Sequence, residues 1–130
     1  MLIAIAMARA SRPQLLAAVH TLEQRQAALV ADVLREEEFV VGTVSEVHAR
    51  CGKPGCRCTQ GAGHFQMRLL YAEGGRRRCK LVRHADADRV RRAGARYRHL
   101  RATLRALAAL HARELRLLRT LVRQGGLRYR

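Results

Sequence analysis

Three cysteines and a histidine stand in one glycine-rich stretch, RCGKPGCRCTQGAGH (residues 50–64): Cys51, Cys56, Cys58 and His64. Thiolates are soft donors that suit a borderline-soft d10 ion such as zinc, and a tetrahedral site needs four donors gathered by tight turns. Gly52, Pro54 and Gly55 favour such a turn and leave backbone N–H groups to bond sulfur. Cys56 and Cys58 are two residues apart, so an extended chain would point both the same way. The fourth donor is either His64 or Cys79. Lys53 and Arg57 lower the thiol pKa values, which favours metal binding and redox reactivity alike. In a reducing cytosol, cysteines are ligands or free thiols before they are disulfides. Zinc is therefore the expected cofactor, with a disulfide switch as the alternative.

The elements that must position this loop can be read on either side of it. FVVGTVSEVHA (residues 39–49) is β-branched and ends at the first cysteine; QMRLLYA and RRCKLVR, joined by EGG at 73–75, have the pattern of a hairpin with glycines at its turn. Together they predict a small three-stranded antiparallel sheet over residues 39–83, with the cysteine loop at 51–64. Met67, Leu69 and Tyr71 share one face of it. Ser11 and Gln14 fit a capping box with Pro13 in the first turn, which opens a helix over 12–36. Its stripe is Leu15, Val19, Leu22, Leu29 and Val33, with Gln26 in a gap. Glu36, Glu37 and Glu38 crowd the negative end of that helix, so they are expected to face basic groups instead. A second helix is predicted over 86–124, with Asp86 as N-cap and Gly125 and Gly126 as its stop. Two rows recur at sevens along it: Val90, Tyr97, Leu104, His111, Leu118, and Ala93, Leu100, Leu107, Glu114, Leu121. Gly94 makes a kink or break there an expectation. The fold class is thus α+β, a single domain over 1–130: a long antiparallel helical hairpin with a small sheet that carries a zinc-knuckle-like loop.

The run GTVSEVHARCGKPGCRCTQGAGH, followed by GGRRRCKLV and YRHLRATLRALAAL, resembles an uncharacterised family of small bacterial and archaeal proteins. Its hallmark is a CGKPxCRC motif, a glycine, then HGP and a tyrosine, a short hairpin and a long C-terminal helix. Its members are often described near transposable elements. The resemblance spans about residues 40–110, and Phe65 and Gln66 depart from the family's Gly-Pro. It implies that Cys51, Cys56, Cys58 and His64 act together and that Cys79 does not join them. Cys79 is then expected to be a buried small apolar residue.

Charge supplies the second functional signal. Residues 1–49 hold four arginines against six carboxylates, whereas residues 50–130 hold 22 basic groups against four acidic ones. Such a one-sided balance suits a polyanion, of which nucleic acid, DNA or RNA, is the commonest. The expected phosphate contacts are Arg50, Lys53 and Arg57 at the knuckle, then Arg76, Arg77, Arg78, Lys80 and Arg83 on the hairpin, then Arg91, Arg98 and Arg105 in an outward helix row. A solubilising surface is the plainer reading of the same charges. Aromatic residues make up only 4% of the chain, too few for base-stacking platforms, so sequence-independent binding is expected. No Ser-His-Asp set, phosphate loop or paired carboxylates are present, and three thiolates with an imidazole would close a metal's coordination sphere; no enzymatic activity is expected. The apolar leader MLIAIAM has no basic residue ahead of it and is too short to span a bilayer, which predicts a cytoplasmic protein without a membrane partner. Self-association, or docking of an acidic protein along the helix seam, is the alternative function, followed by a thiol redox sensor.

Overall fold

In the computed structural model, which describes residues 9–129, the architecture is α+β, and the leader lies outside the described residues. The order is helix α1 (Arg12–Val33), strands β1 (Thr43–Ala49), β2 (His64–Glu73) and β3 (Arg76–Val82), and helix α2 (Ala87–Gly125). Short 3-10 turns occupy Arg57–Gln60 and His84–Asp86. The chain divides into two compact units, Met1–Arg35 with Arg101–Arg130, and Glu36–Leu100.

The helical unit begins where the capping box predicts. Ser11 N–H donates to Gln14 Oε1 at 2.9 Å, and Gln14 N–H donates to Ser11 Oγ at 3.5 Å. α1 ends at Val33, short of the predicted 36. Leu15, Val19 and Leu22 of α1 form a core with Leu110, Leu117 and Leu121 of α2. Gln124 Nε2 donates to the Ala10 carbonyl and Gln26 Nε2 to Glu114 Oε2, so the two helices run antiparallel. That second bond explains the two polar gaps in the predicted stripes, because they meet each other.

The predicted seam of α2 needs one correction. The row from Ala93 to Leu121 is buried or half-buried throughout, but its partner row is Arg96, Thr103, Leu110 and Leu117. Leu104, His111 and Leu118 of the other predicted row are exposed; His111 instead pairs outward with Glu114 at 3.4 Å. Arg96 and Thr103 made the true row look polar in sequence, while the two exposed leucines made its neighbour look apolar.

In the second unit the strands lie in the order β1-β2-β3, both pairs antiparallel. Register places Val44, Met67, Leu69, Tyr71 and Val82 on one face, and Met67 is almost fully buried. Residues 36–42, part of which was predicted as strand, leave the sheet: Val40 N–H donates to the Ala93 carbonyl, and Phe39 stacks on Tyr97. Two of the three glutamates, Glu37 and Glu38, find basic partners, as expected from their place at a helix's negative end. Glu37 pairs with Arg96 at 3.2 Å, and Glu38 takes two hydrogen bonds of 2.9 Å from Arg89 Nε. The Arg89 hydrogen bond holds the Glu38 carboxyl below its usual range.

α2 runs on through Gly94 without the break that the glycine allows. A Cβ on Gly94 would lie 2.5 Å from Val44 Cγ2, so the glycine serves close approach of helix to strand. Gly94→Ala gains about 1 kcal/mol of helix propensity, yet it meets a β-branched side chain with little rotamer freedom. Overpacking of this kind costs about 1–3 kcal/mol. Urea denaturation should show net destabilisation that Val44→Ala relieves in the same chain; a Gly94→Ala chain more stable than the parent would refute the close-packing role.

Candidate metal centre

The sheet itself brings the cysteine loop to a point. β1 ends at Ala49, which pairs with His64, the first residue of β2, so residues 50–63 must leave and return to adjacent positions. The return requires Gly63: its φ is 90°, and a Cβ there would sit 2.6 Å from the Ala49 carbonyl carbon. Within the loop, Cys56 N–H donates to the Lys53 carbonyl at 3.4 Å around Pro54 and Gly55, the latter at φ 75°. Proline followed by a left-handed glycine is the signature of a type II turn. Thr59 then ties its N–H and its hydroxyl to the Cys56 carbonyl at 3.1 and 2.7 Å, which starts the 3-10 turn. Cys58 lies in that turn, not in an extended run beside Cys56, and the turn buries it.

These turns gather four donors. Cys51 Sγ lies 3.3 Å from Cys58 Sγ, and Cys56 Sγ lies 3.2 Å from His64 Nε2. The ligand atoms of Cys51, Cys56, Cys58 and His64 all fall within 4.8 Å of one another. Cys51 N–H also donates to Cys58 Sγ at 3.4 Å, the backbone-to-sulfur bond that the glycine-rich spacing predicts. The group could hold a metal ion.

Protonation is uneven across the thiols. The Lys53 N–H, then the Cys58 and Cys56 side chains, pull the Cys51 thiol below its ordinary pKa. The Cys58 N–H, then the Cys58 and His64 side chains, do the same for Cys56. Cys58 is also drawn down by the Cys51 N–H, but the Cys51 thiol, burial and Cys56 outweigh this, and its pKa is raised. Three thiols this close cannot all ionise cheaply without a cation among them.

Cys79 is separated from this cluster. It pairs with Leu70, six residues along β2 from His64, or about 20 Å at strand rise. The register also turns it away from Met67, Leu69 and Tyr71, and it is exposed, not buried as expected.

The basic residues fall into separate groups. Arg50, Lys53 and Arg57 are exposed on the loop, at one end of the sheet. Arg76, Arg77 and Arg78 are exposed at the other end, about 30 Å away along the ten residues of β2. Arg78 pairs with Glu73 at 3.6 Å, Lys80 lies 5.6 Å above the Tyr71 ring, and Arg83 bonds Asp86 at 2.9 Å. Arg91 is held by Glu46 and Asp88. Arg98 and Arg105 are exposed on α2. Among the described residues, Arg50, Lys53, Arg57, Arg76, Arg77, Arg98 and Arg105 make no ion pair. β3 is an edge strand, so its charges also discourage pairing with another sheet. Sequence reasoning missed Thr59 and Gly63 as the residues that shape the loop; the glycine directly before His64 was the available signal.

The family described as a domain of unknown function, DUF6788, matches residues 13–92, and the chain belongs to it. The match takes in α1 from Pro13 onward, the whole sheet and the cysteine cluster. No curated protein and no solved structure matches the chain. Among the described residues, no helix is long and apolar enough to cross a membrane.

Proposed function

We propose that the chain is a zinc-stabilised, basic accessory protein that binds nucleic acid through phosphates, without strong sequence preference and without catalysis of its own. The observation that carries the metal half is the convergence of three thiols and an imidazole within 4.8 Å. Tetrahedral thiolates with bonds of about 2.3 Å to zinc stand about 3.8 Å apart, so small side-chain adjustments would admit the ion. Four protein donors leave no open position, which makes the site structural: it ties the loop to the ends of β1 and β2. The nucleic-acid half is supported by the excess of basic over acidic groups after residue 49, 22 against four, and by exposed members of that set, Arg50, Lys53, Arg57, Arg76 and Arg77 among them, that make no ion pair. Resemblance to a family often described near transposable elements supports a role alongside mobile DNA, in the cytoplasm.

Salt dependence tests the phosphate contacts. Every B-DNA phosphate that the protein no longer neutralises should flatten the plot of log affinity against log salt by about 0.9. Arg76 and Arg77 alternate in direction on an edge strand. Replacing both by alanine should therefore lower the slope by about one unit if a duplex rests on one face, and about two if it rests on the edge. The loss of affinity should be equal on unrelated duplexes, since phosphates carry no sequence information. Arg91→Ala, already held by two carboxylates, should leave the slope unchanged. Absence of duplex binding by zinc-loaded protein at low salt would remove this reading.

A further inference from the structure

α2 carries a second seam that the described residues leave uncovered. Positions 104, 108, 111, 115, 118 and 122 alternate at spacings of four and three, the heptad pattern that seats one helix against another. Leu104 is 54% exposed, Leu115 37%, Leu118 38% and Val122 74%, with Ala108 between; His111 is the one polar position of the row, and Leu115, Leu118 and Val122 form its contiguous apolar part. It runs about 27 Å, or five turns. Its lower part is a groove of about 410 Å³ lined by Leu115, Leu118, Val122, Arg119 and Arg123. One face of α2 already meets α1, and an amphipathic helix normally needs only one.

We propose that this second face of α2 is the docking site for an acidic amphipathic helix of a partner protein. Three features select that occupant. The apolar residues demand an apolar counterpart, which a phosphate backbone does not supply. Arg105, Arg119 and Arg123 lie at helical positions that border the stripe on one side, where carboxylates flanking a partner's seam would meet them. A second copy of this chain is disfavoured, because the helical unit holds twelve arginines against three carboxylates and two such surfaces repel.

The test uses the full chain and a labelled 19-residue peptide with leucine at heptad a and d positions and glutamate beside them, followed by fluorescence anisotropy. A peptide of identical composition in shuffled order controls for charge. The ordered peptide should bind at least about tenfold more tightly, and Leu115→Gln with Val122→Gln should remove about that factor, as truncating interface anchors does. Both substituted positions are exposed, and circular dichroism checks that the helices persist. Arg119→Gln with Arg123→Gln should weaken binding and flatten its salt dependence. Equal binding of the two peptides, or indifference to the leucine and valine changes, would overturn the proposal. So would a wild-type dimer in sedimentation that the double change renders monomeric, which would assign the face to a second copy. Duplex binding should be unaffected by Leu115→Gln with Val122→Gln; its loss would place the duplex on this face and overturn the proposal too.

Discussion

His64→Ala should weaken zinc retention against a chelator as severely as Cys56→Ser, and Cys79→Ser should leave it unchanged. The cluster geometry gives the reason: His64 Nε2 lies 3.2 Å from Cys56 Sγ, whereas Cys79 lies far along the sheet. Losing a direct ligand should exceed the roughly 10–100-fold cost of losing an outer-shell partner. Protein purified under reducing conditions should carry one zinc per chain by native mass spectrometry; metal-free protein would sink the metal reading. Protons compete with the ion for sulfur, so affinity should fall as pH falls. Cys51 and Cys56 have lowered pKa values and Cys58 a raised one, so in metal-free protein Cys58 is the last to ionise as pH rises. Zinc removal should loosen residues 50–63 and the Ala49–His64 end of the sheet while the α1–α2 pair persists. Hydrogen exchange resolves the two, and simultaneous loss of both would show that the ion holds more than its loop.

Leu117→Ala should cost about 2–5 kcal/mol, a large part of the 5–15 kcal/mol that holds a typical domain together. Leu117 is 2% exposed in a core of six buried residues among those described, so few neighbours can close the cavity. Leu104→Ala, on the exposed face of the same helix, should cost far less. Thermal and urea unfolding of the two variants measures the difference directly. Equal destabilisation would mean that Leu104 is covered in solution, which sedimentation would then trace to a second copy.

Local rules carried much of this fold. A capping box depends on four consecutive residues, a hairpin on alternation and a glycine turn, and a knuckle on proline and glycine between cysteines, so α1, the β2–β3 hairpin and the turn at Lys53–Cys56 were legible in the sequence. The gathering of Cys51, Cys56, Cys58 and His64 was legible for the same reason, since all four lie within one short stretch of sequence. The family resemblance placed His64 ahead of Cys79, but residue chemistry alone left that choice open. Packing between distant segments decided the rest. Register turns on a single residue, and it sent Cys79 to the exposed face and separated Arg76 from Arg50 by the length of β2. Gly94 has the same composition whether it breaks a helix or admits a neighbour, and only the position of Val44 distinguishes the two. Leucines stand in adjacent heptad rows of α2, and helical periodicity cannot say which row α1 will cover. Tertiary packing buried the row with Leu110 and Leu117 and left Leu104 and Leu118 exposed, because burial is a property of where another surface lies and not of the residue that it covers.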